Sequence, residues 1–459
     1  MEIQKHQLNV NEPYFLTHHG GKNTVTGSCH ELQIGESGIL IDCGILQGRN
    51  TNTPEHLNID FPLEHIEALI ITHAHIDHIG RIPWLVAAGF NKPIYCTMAT
   101  AALIPLMLDD GLRIQLNLNK DQRQKVLSHI TNLIQPIPYK NAVTLANSGA
   151  RFQFLPAGHI LGSAYVEVTL PNQEVIVFSG DLGPNNTALL PDPEPPKQAD
   201  YLVIETTYGN KKHDDVATRS LRLEKIVEKA LQDGGVILIP AFSVGRTQEL
   251  LFDIERLIEH SIQTESTDDD YWQQLPIILD SPLALKITRE YEKFRHLWNE
   301  ECATSHPRHP LSFEQLTTIE SHQEHERIVN RLASTNEVAI VVAASGMCNG
   351  GRIINYLEAL LPDERTDVIL AGYQAEDTLG RDLQDGKNQI VINSNIVEVN
   401  AHIHTMSGYS AHADQNDLLT FIKGIETPPK QIHLVHGELE TKHKFKLTLE
   451  QHFSNEIIL

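Results

Sequence analysis

The chain has 459 residues, and its 59 acidic residues outnumber 36 basic ones for a formal charge of −23, so the average surface repels a polyanion and a nucleic acid could enter only a local basic groove. No stretch reaches the roughly 18 uninterrupted apolar residues of a membrane helix, and Met1 to Val10 lacks the apolar run of a signal peptide, so no membrane association is expected. Five scattered cysteines, Cys29, Cys43, Cys96, Cys302 and Cys348, show no CxxC spacing, which argues against disulfide frameworks and thiolate zinc ribbons and fits a reducing cytoplasm.

In chain order, β-branched runs predict strands at 38–44, 67–72, 151–158, 164–170, 174–181 and 200–206. Three- and four-residue apolar spacing predicts helices at 99–116 and 119–135. The segment LLPDPEPPKQAD, 189–200, reads as a surface connection because its prolines can continue neither a helix nor a central strand. From 209 the rhythm changes to alternating strand and helix. A helix at 217–232 is followed by VILIP at 236–240, a helix from Arg246, PIILD at 276–280, a helix from Ala284, VAIVVA at 338–343, a helix from Gly350 and DVILAG at 367–372. This alternation predicts a parallel, doubly wound sheet. The acidic run TESTDDD, 264–270, reads as a solvated loop. From 389 strand patterns return, IVINSNIVEVNAHI and QIHLVHGE, before a last helix at about 441–453. The expected organisation is an α/β protein in three segments: 1–208 and 389–459 forming one domain, with 209–388 inserted as a second.

Chemistry concentrates at His73-Ala-His75-Ile-Asp77-His78, directly after the strand EALIIT. Zinc favours imidazole nitrogen and carboxylate oxygen, and a turn at a strand end can aim several such groups into one cavity. A single motif cannot close two metal sites, so further ligands are expected at the exits of other apolar runs. His159 follows FLPAG, Asp181 follows VIVFSG and His436 follows IHLV.

These residues resemble the metallo-β-lactamase superfamily. The inserted region, with ETTY at 205–208, PAFSVGRTQEL at 240–250, AASGMCNGGR at 343–352, GYQAEDTLGR at 372–381, GYSAHAD at 408–414 and LVHGE at 434–438, resembles its β-CASP branch of RNA nucleases, akin to the catalytic subunit of the messenger-RNA 3′-end cleavage complex. The resemblance covers nearly the whole chain. It implies a metallo-β-lactamase αβ/βα sandwich carrying two zinc ions, with an inserted β-CASP parallel α/β domain. It assigns one zinc to His73, His75, His159 and Asp181, and the other to Asp77, His78, Asp181 and His436, with Asp181 bridging. Such a pair activates a shared water and neutralises charge building on the phosphate. Asp42 resembles the family's aspartate that orients a ligand, and Asp77, Glu205 and His412 match its catalytic positions, His412 as proton donor to the departing ribose oxygen and Glu205 as its partner. The implied enzyme is a metal-dependent ribonuclease in RNA processing or decay, leaving 5′-phosphate and 3′-hydroxyl ends on single-stranded RNA.

Phosphate gripping is expected from Ser345, Gly346, Arg246, Arg352 and Arg381, which lie at or near predicted helix starts or glycine turns, where free N–H groups and guanidinium favour an anion. After His436 only 23 residues remain, so RNA is expected to be held by the two lobes or by a partner, with a homo-oligomer as one arrangement. His18, His19, His30, His402, His404 and His433 fall outside the matched motifs and read as ordinary histidines. Two other readings stay open: a hydrolase of small esters or thioesters, and a non-catalytic scaffold of an RNA-processing complex.

Overall fold

The computed structural model describes residues 5–47, 54–264, 271–300, 302 and 311–459. It divides into two compact units, Met1–Lys212 with His412–Leu459, and His213–Ala411.

In the first unit two seven-stranded sheets pack face to face. The first sheet keeps chain order, Lys5–Gln7, Tyr14–Gly20, Cys29–Ile34, Ser37–Ile41, Ile66–Ile70, Ile94–Thr97 and Ile134–Ile137. The second runs Glu456–Ile458, Gln431–Val435, Tyr201–Glu205, Val175–Phe178, Ala164–Thr169, Arg151–Pro156, Val143–Thr144. Alternation along the strands sends Leu16, Leu32, Ile39 and Ile70 inward from one sheet to meet Phe152, Phe154, Val166 and Val203 of the other. The opposite face of the second sheet buries Leu202 and Ile204 against Leu418, Phe421, Phe445 and Leu449 of helices Gln415–Lys423 and Leu439–His452. Helix Met98–Leu116 covers the outer side of the first sheet. The result is the expected αβ/βα sandwich.

Strand direction positions the chemistry. Val175–Phe178, Tyr201–Glu205 and Gln431–Val435 are mutually parallel neighbours, with Glu205 opposite Val435 although hundreds of residues separate them in sequence. Ser37–Ile41 and Ile66–Ile70 are parallel in the other sheet. Their C-terminal ends open into the segments holding Asp181, Glu205, His436, Asp42 and His73, so the fold gathers those side chains at one edge of the sandwich.

The second unit is a six-stranded, all-parallel sheet in the order Leu316–Thr318, Ile277–Asp280, Ala339–Ala343, Val236–Pro240, Asp367–Leu370, His402–Thr405. Its central strands are buried on both faces, which is why they read as unbroken aliphatic runs. Over 389–398 the chain forms a separate hairpin, Gln389–Ile392 with Asn395–Glu398. Asn393 and Ser394 both adopt positive φ in its two-residue turn. The strand expected over 38–44 stops at Ile41, because Asp42 takes a left-handed φ of 60°. Residues 189–200 run without helix or strand. The expected acidic loop falls, from 265 on, outside the described residues. No helix among the described residues is long and apolar enough to cross a membrane.

Candidate functional site

The turn after Ile66–Ile70 carries the first four candidates. Thr72 fixes its geometry: its backbone N–H donates to Asp42 Oδ1 at 2.8 Å and its hydroxyl to Asp42 Oδ2 at 2.8 Å. His78 Nδ1 donates to the same Oδ2 at 2.7 Å, which fixes the tautomer and leaves Nε2 as a donor atom for a metal. Asp42 therefore organises the turn without facing the cluster, and its left-handed backbone is what aims it there. Thr72 had no motif to mark it; its place immediately before His73 is the only sequence signal.

Two cages of side chains share Asp181. In the first, His75 Nδ1 lies 3.1 Å from His73 Nε2 and 3.0 Å from His159 Nε2, and Asp181 Oδ2 lies 3.5 and 3.6 Å from His73 and His159. In the second, His78 Nε2 is 3.3 Å from Asp181 Oδ2 and 3.8 Å from Asp77 Oδ2, while His436 Nε2 is 3.5 Å from Asp181 Oδ1 and 3.8 Å from Asp77 Oδ2. An ion held about 2.0–2.2 Å from four tetrahedral ligands sets them about 3.3–3.6 Å apart, so both cages have the size of a zinc site. Each set of four qualifies as a metal-holding group. His78 Nε2 and Asp181 Oδ1 are buried without a hydrogen-bond partner among the described residues. In a protein interior such atoms are costly, and a cation is the partner that imidazole nitrogen and carboxylate oxygen fit together. Burial and neighbouring imidazoles depress His73 and take His436 down to about 3, so both present neutral lone pairs.

Beside the cages, His412 Nδ1 lies 3.2 and 3.3 Å from the oxygens of Glu205 and 3.9 Å from Asp181 Oδ2. Glu205 is fully buried and also accepts from Leu182 N at 2.8 Å and Thr207 N at 3.3 Å. Burial works against charge on His412, but the carboxylates of Glu205, Asp181 and Asp77 outweigh it and raise its pKa. The arrangement is a partly exposed imidazole hydrogen-bonded to a buried carboxylate beside the two cages.

The five expected phosphate-binding residues lie in the second unit, after three neighbouring parallel strands. Arg246 starts helix Arg246–Thr264 and is buried. Ser345 and Gly346 follow Ala339–Ala343; the Ser345 hydroxyl donates to Gly350 O at 3.2 Å, and a side chain at Gly346 would strike the Phe242 ring. Arg352 is committed to Asp280, to Ile319 O at 2.8 Å and to Glu320 O at 3.0 Å. Arg381 makes an i,i+4 pair with Asp385 at 3.1 Å. Of the histidines given no role, His18 shares a hydrogen bond with His30 at 2.9 Å, His19 meets Glu31 at 2.7 Å and His404 meets Asp367 at 2.7 Å, all local structural contacts. His402 is exposed.

Three family models match the chain: the metallo-beta-lactamase superfamily over residues 23–229, the Beta-Casp domain over 247–383 and the Zn-dependent metallo-hydrolase RNA specificity domain over 396–459. A ribonuclease of Thermus thermophilus is 32% identical over 428 residues, 92% of both chains. An RNase J-like protein of Methanocaldococcus jannaschii is 31% identical, over 95% of both chains. Transcription termination factor FttA of Methanosarcina mazei is 29% identical over 91% of this chain, which spans 66% of that relative. A solved structure of a protein of unknown function from Enterococcus faecalis V583 shares the fold with a TM-score of 0.53 at 14% identity, over 97% of both chains.

Proposed function

The chain belongs to the metallo-β-lactamase superfamily, in its β-CASP branch, and from that premise we propose that it is a two-zinc ribonuclease hydrolysing single-stranded RNA to 5′-phosphate and 3′-hydroxyl ends. The observation that carries this reading is the pair of four-atom cages sharing Asp181, with His412 and Glu205 beside them. Bound zinc would supply positive charge for the scissile phosphate and lower the pKa of water at the site.

The remaining work falls to the chain's own groups. His73, His75 and His159 would hold one ion, Asp77, His78 and His436 the other, and Asp181 both. Asp42, bonded to His78 Nδ1, would keep the ring oriented so that Nε2 is the atom left to hold the ion. His412, charged by Glu205, would give its proton to the departing ribose oxygen. Arg246, Arg381 and the Ser345–Gly346 turn would hold flanking phosphates. Arg352 could join them only by loosening its hold on Asp280.

Zinc-loaded protein incubated with end-labelled RNA and, separately, with a thioester tests the proposal. RNA fragments with 5′-phosphate and 3′-hydroxyl ends and two zincs per chain are expected. Cyclic-phosphate ends, turnover of the thioester alone, or one metal per chain that added zinc does not raise would overturn it.

A further inference from the structure

Behind the second cage lies a lysine that no catalytic reading uses. Lys442, in the first turns of helix Leu439–His452, is completely buried. Its ammonium donates to Lys22 O at 2.9 Å and to Asn23 Oδ1 at 2.8 Å, and no carboxylate among the described residues pairs with it. Burial and the neighbouring Lys22 push its pKa down to about 7. An apolar side chain of the same length would fill that space without the desolvation penalty, so the donors themselves must matter there.

What those donors hold is the glycine turn within residues 18–28, HHGGKNTVTGS. Gly21 has a φ of 69°, and a Cβ there would lie 2.7 Å from Ser28 Cα, so only glycine lets the turn close. Its carbonyl accepts the backbone N–H of His436 at 2.7 Å. On the other side Thr206 N and the Thr207 hydroxyl donate to His436 O at 3.2 and 3.3 Å. His436 itself has a φ of 48°, left-handed and uncommon for a side chain of its size. Such a residue keeps its conformation only where its surroundings fix it, and here one of the two fixing contacts runs through the turn that Lys442 anchors.

We infer that Lys442 is a positioning residue for His436: by clamping Lys22 and Asn23 it holds the Gly21 carbonyl against the His436 amide and thereby keeps the Asp77/His78/His436 cage closed. The inference rests on the two-metal reading above.

The test is zinc binding by the chelator-stripped full chain, read as stoichiometry and affinity by competition with a chromophoric chelator. Lys442→Met keeps the stem and removes the donors. It should weaken one of two zincs about 10- to 100-fold, the usual size when a group orienting a ligand is lost, and leave the other unchanged. Adding His75→Ala, which cripples the other cage, should leave the double variant without a tight site. Asn23→Ala removes one acceptor from an exposed residue and buries nothing, so it should shift the same zinc by less; it decides the matter if Lys442→Met does not fold. Two zincs in the wild type with unchanged binding in the variants, or equal weakening of both sites, would overturn the role of Lys442. A wild type that takes up one zinc only would instead bring down the two-metal reading, and this inference with it.

Discussion

Each unit of this protein buries a cluster of histidine and aspartate at the ends of parallel strands, and the two clusters differ in one physical respect. In the second unit Asp280 accepts from His325 Nδ1 at 2.7 Å, from Tyr356 Oη at 2.6 Å and from Arg352, while His325 Nε2 accepts from Asn355 at 2.8 Å. Burial favours the neutral acid, yet these donors hold Asp280 below the usual carboxylate range. Both carboxylate oxygens of Asp280 and both ring nitrogens of His325 have a hydrogen-bond partner. In the first unit His78 Nε2 and Asp181 Oδ1 are buried without a hydrogen-bond partner among the described residues, and although burial disfavours charge on His78, the carboxylates of Asp181, Asp42 and Asp77 crowd around it and raise its pKa. Residue type is the same in both, so it is saturation of the polar atoms that separates a structural network from a metal site.

Paired substitutions should break that distinction if it is wrong, and they carry the largest effect. Asp181→Asn puts a neutral amide where both cages need an anion, so both metals should weaken and cleavage should fall toward background. Asp280→Ala should leave zinc content unchanged and destabilise the second unit by about 3–5 kcal/mol, the usual consequence of leaving a buried charge unpaired. Elemental analysis together with denaturant unfolding in chelator reads both. Zinc loss in Asp280→Ala, or full zinc in Asp181→Asn, would erase the difference between the clusters.

Between these extremes stands the His412–Glu205 pair, saturated on the carboxylate side and partly open on the imidazole side. His412→Ala should keep both zincs and lose about 10²–10⁴-fold in RNA cleavage. Because Glu205 raises the pKa of His412, wild-type activity that depends on the acid should fall as pH rises through that raised value, and the variant should lack this limb. A nitrophenyl phosphodiester, whose leaving group needs no proton, should largely restore the variant. Loss of a zinc would make His412 a ligand, and equal damage on both substrates would remove it from proton transfer.

A third cluster has neither metal geometry nor carboxylate. His18, His30 and His433 are buried around one another, and burial takes His30 and His433 down to about 3. Both are neutral when folded and titrate near 6.5 when unfolded. Their contribution to stability is therefore complete above about pH 6.5 and is lost as pH falls toward 3, by roughly 2 kcal/mol each at pH 5. His433→Gln should flatten the acid limb of stability relative to the wild type by about one such step. An unchanged pH dependence would mean that this imidazole is not held neutral.

Saturation also sets what could be read in advance. His73, His159, Asp181 and His436 were legible because each follows an apolar strand, and a side chain at a strand exit can leave the core. Asp280 ends a strand in the same way, but its partners His325 and Tyr356 are spread over helices far along the chain and carry no motif. The inserted parallel sheet was legible from its aliphatic runs. That His402–Thr405 joins that sheet was not, since a four-residue strand pattern says nothing about which neighbour it will pair with. Short polar edge strands such as Lys5–Gln7 left no apolar signal at all.

The smallest expected effect applies the same criterion to two arginines that the sequence treated alike. Arg352 is held by a buried carboxylate and two carbonyls, whereas the contacts of Arg381 include a solvent-exposed pair with Asp385, a kind of contact worth about 1 kcal/mol or less, and a long 3.5 Å hydrogen bond to Gln374 O. A phosphate can therefore recruit Arg381 at little cost and Arg352 only by taking from Asp280 its one cationic partner, leaving His325 and Tyr356 as its donors. Arg381→Ala should weaken RNA binding by about tenfold or less, equally for different sequences, and reduce the slope of log affinity against log salt by about one. Its folding stability should barely move. Arg352→Ala should do the reverse, lowering stability while the salt slope of the folded protein stays as in the wild type. Titrating labelled RNA at several salt concentrations, with thermal unfolding alongside, separates the two. A salt slope that changes in Arg352→Ala and not in Arg381→Ala would show that saturation in the free protein does not decide which guanidinium meets the RNA.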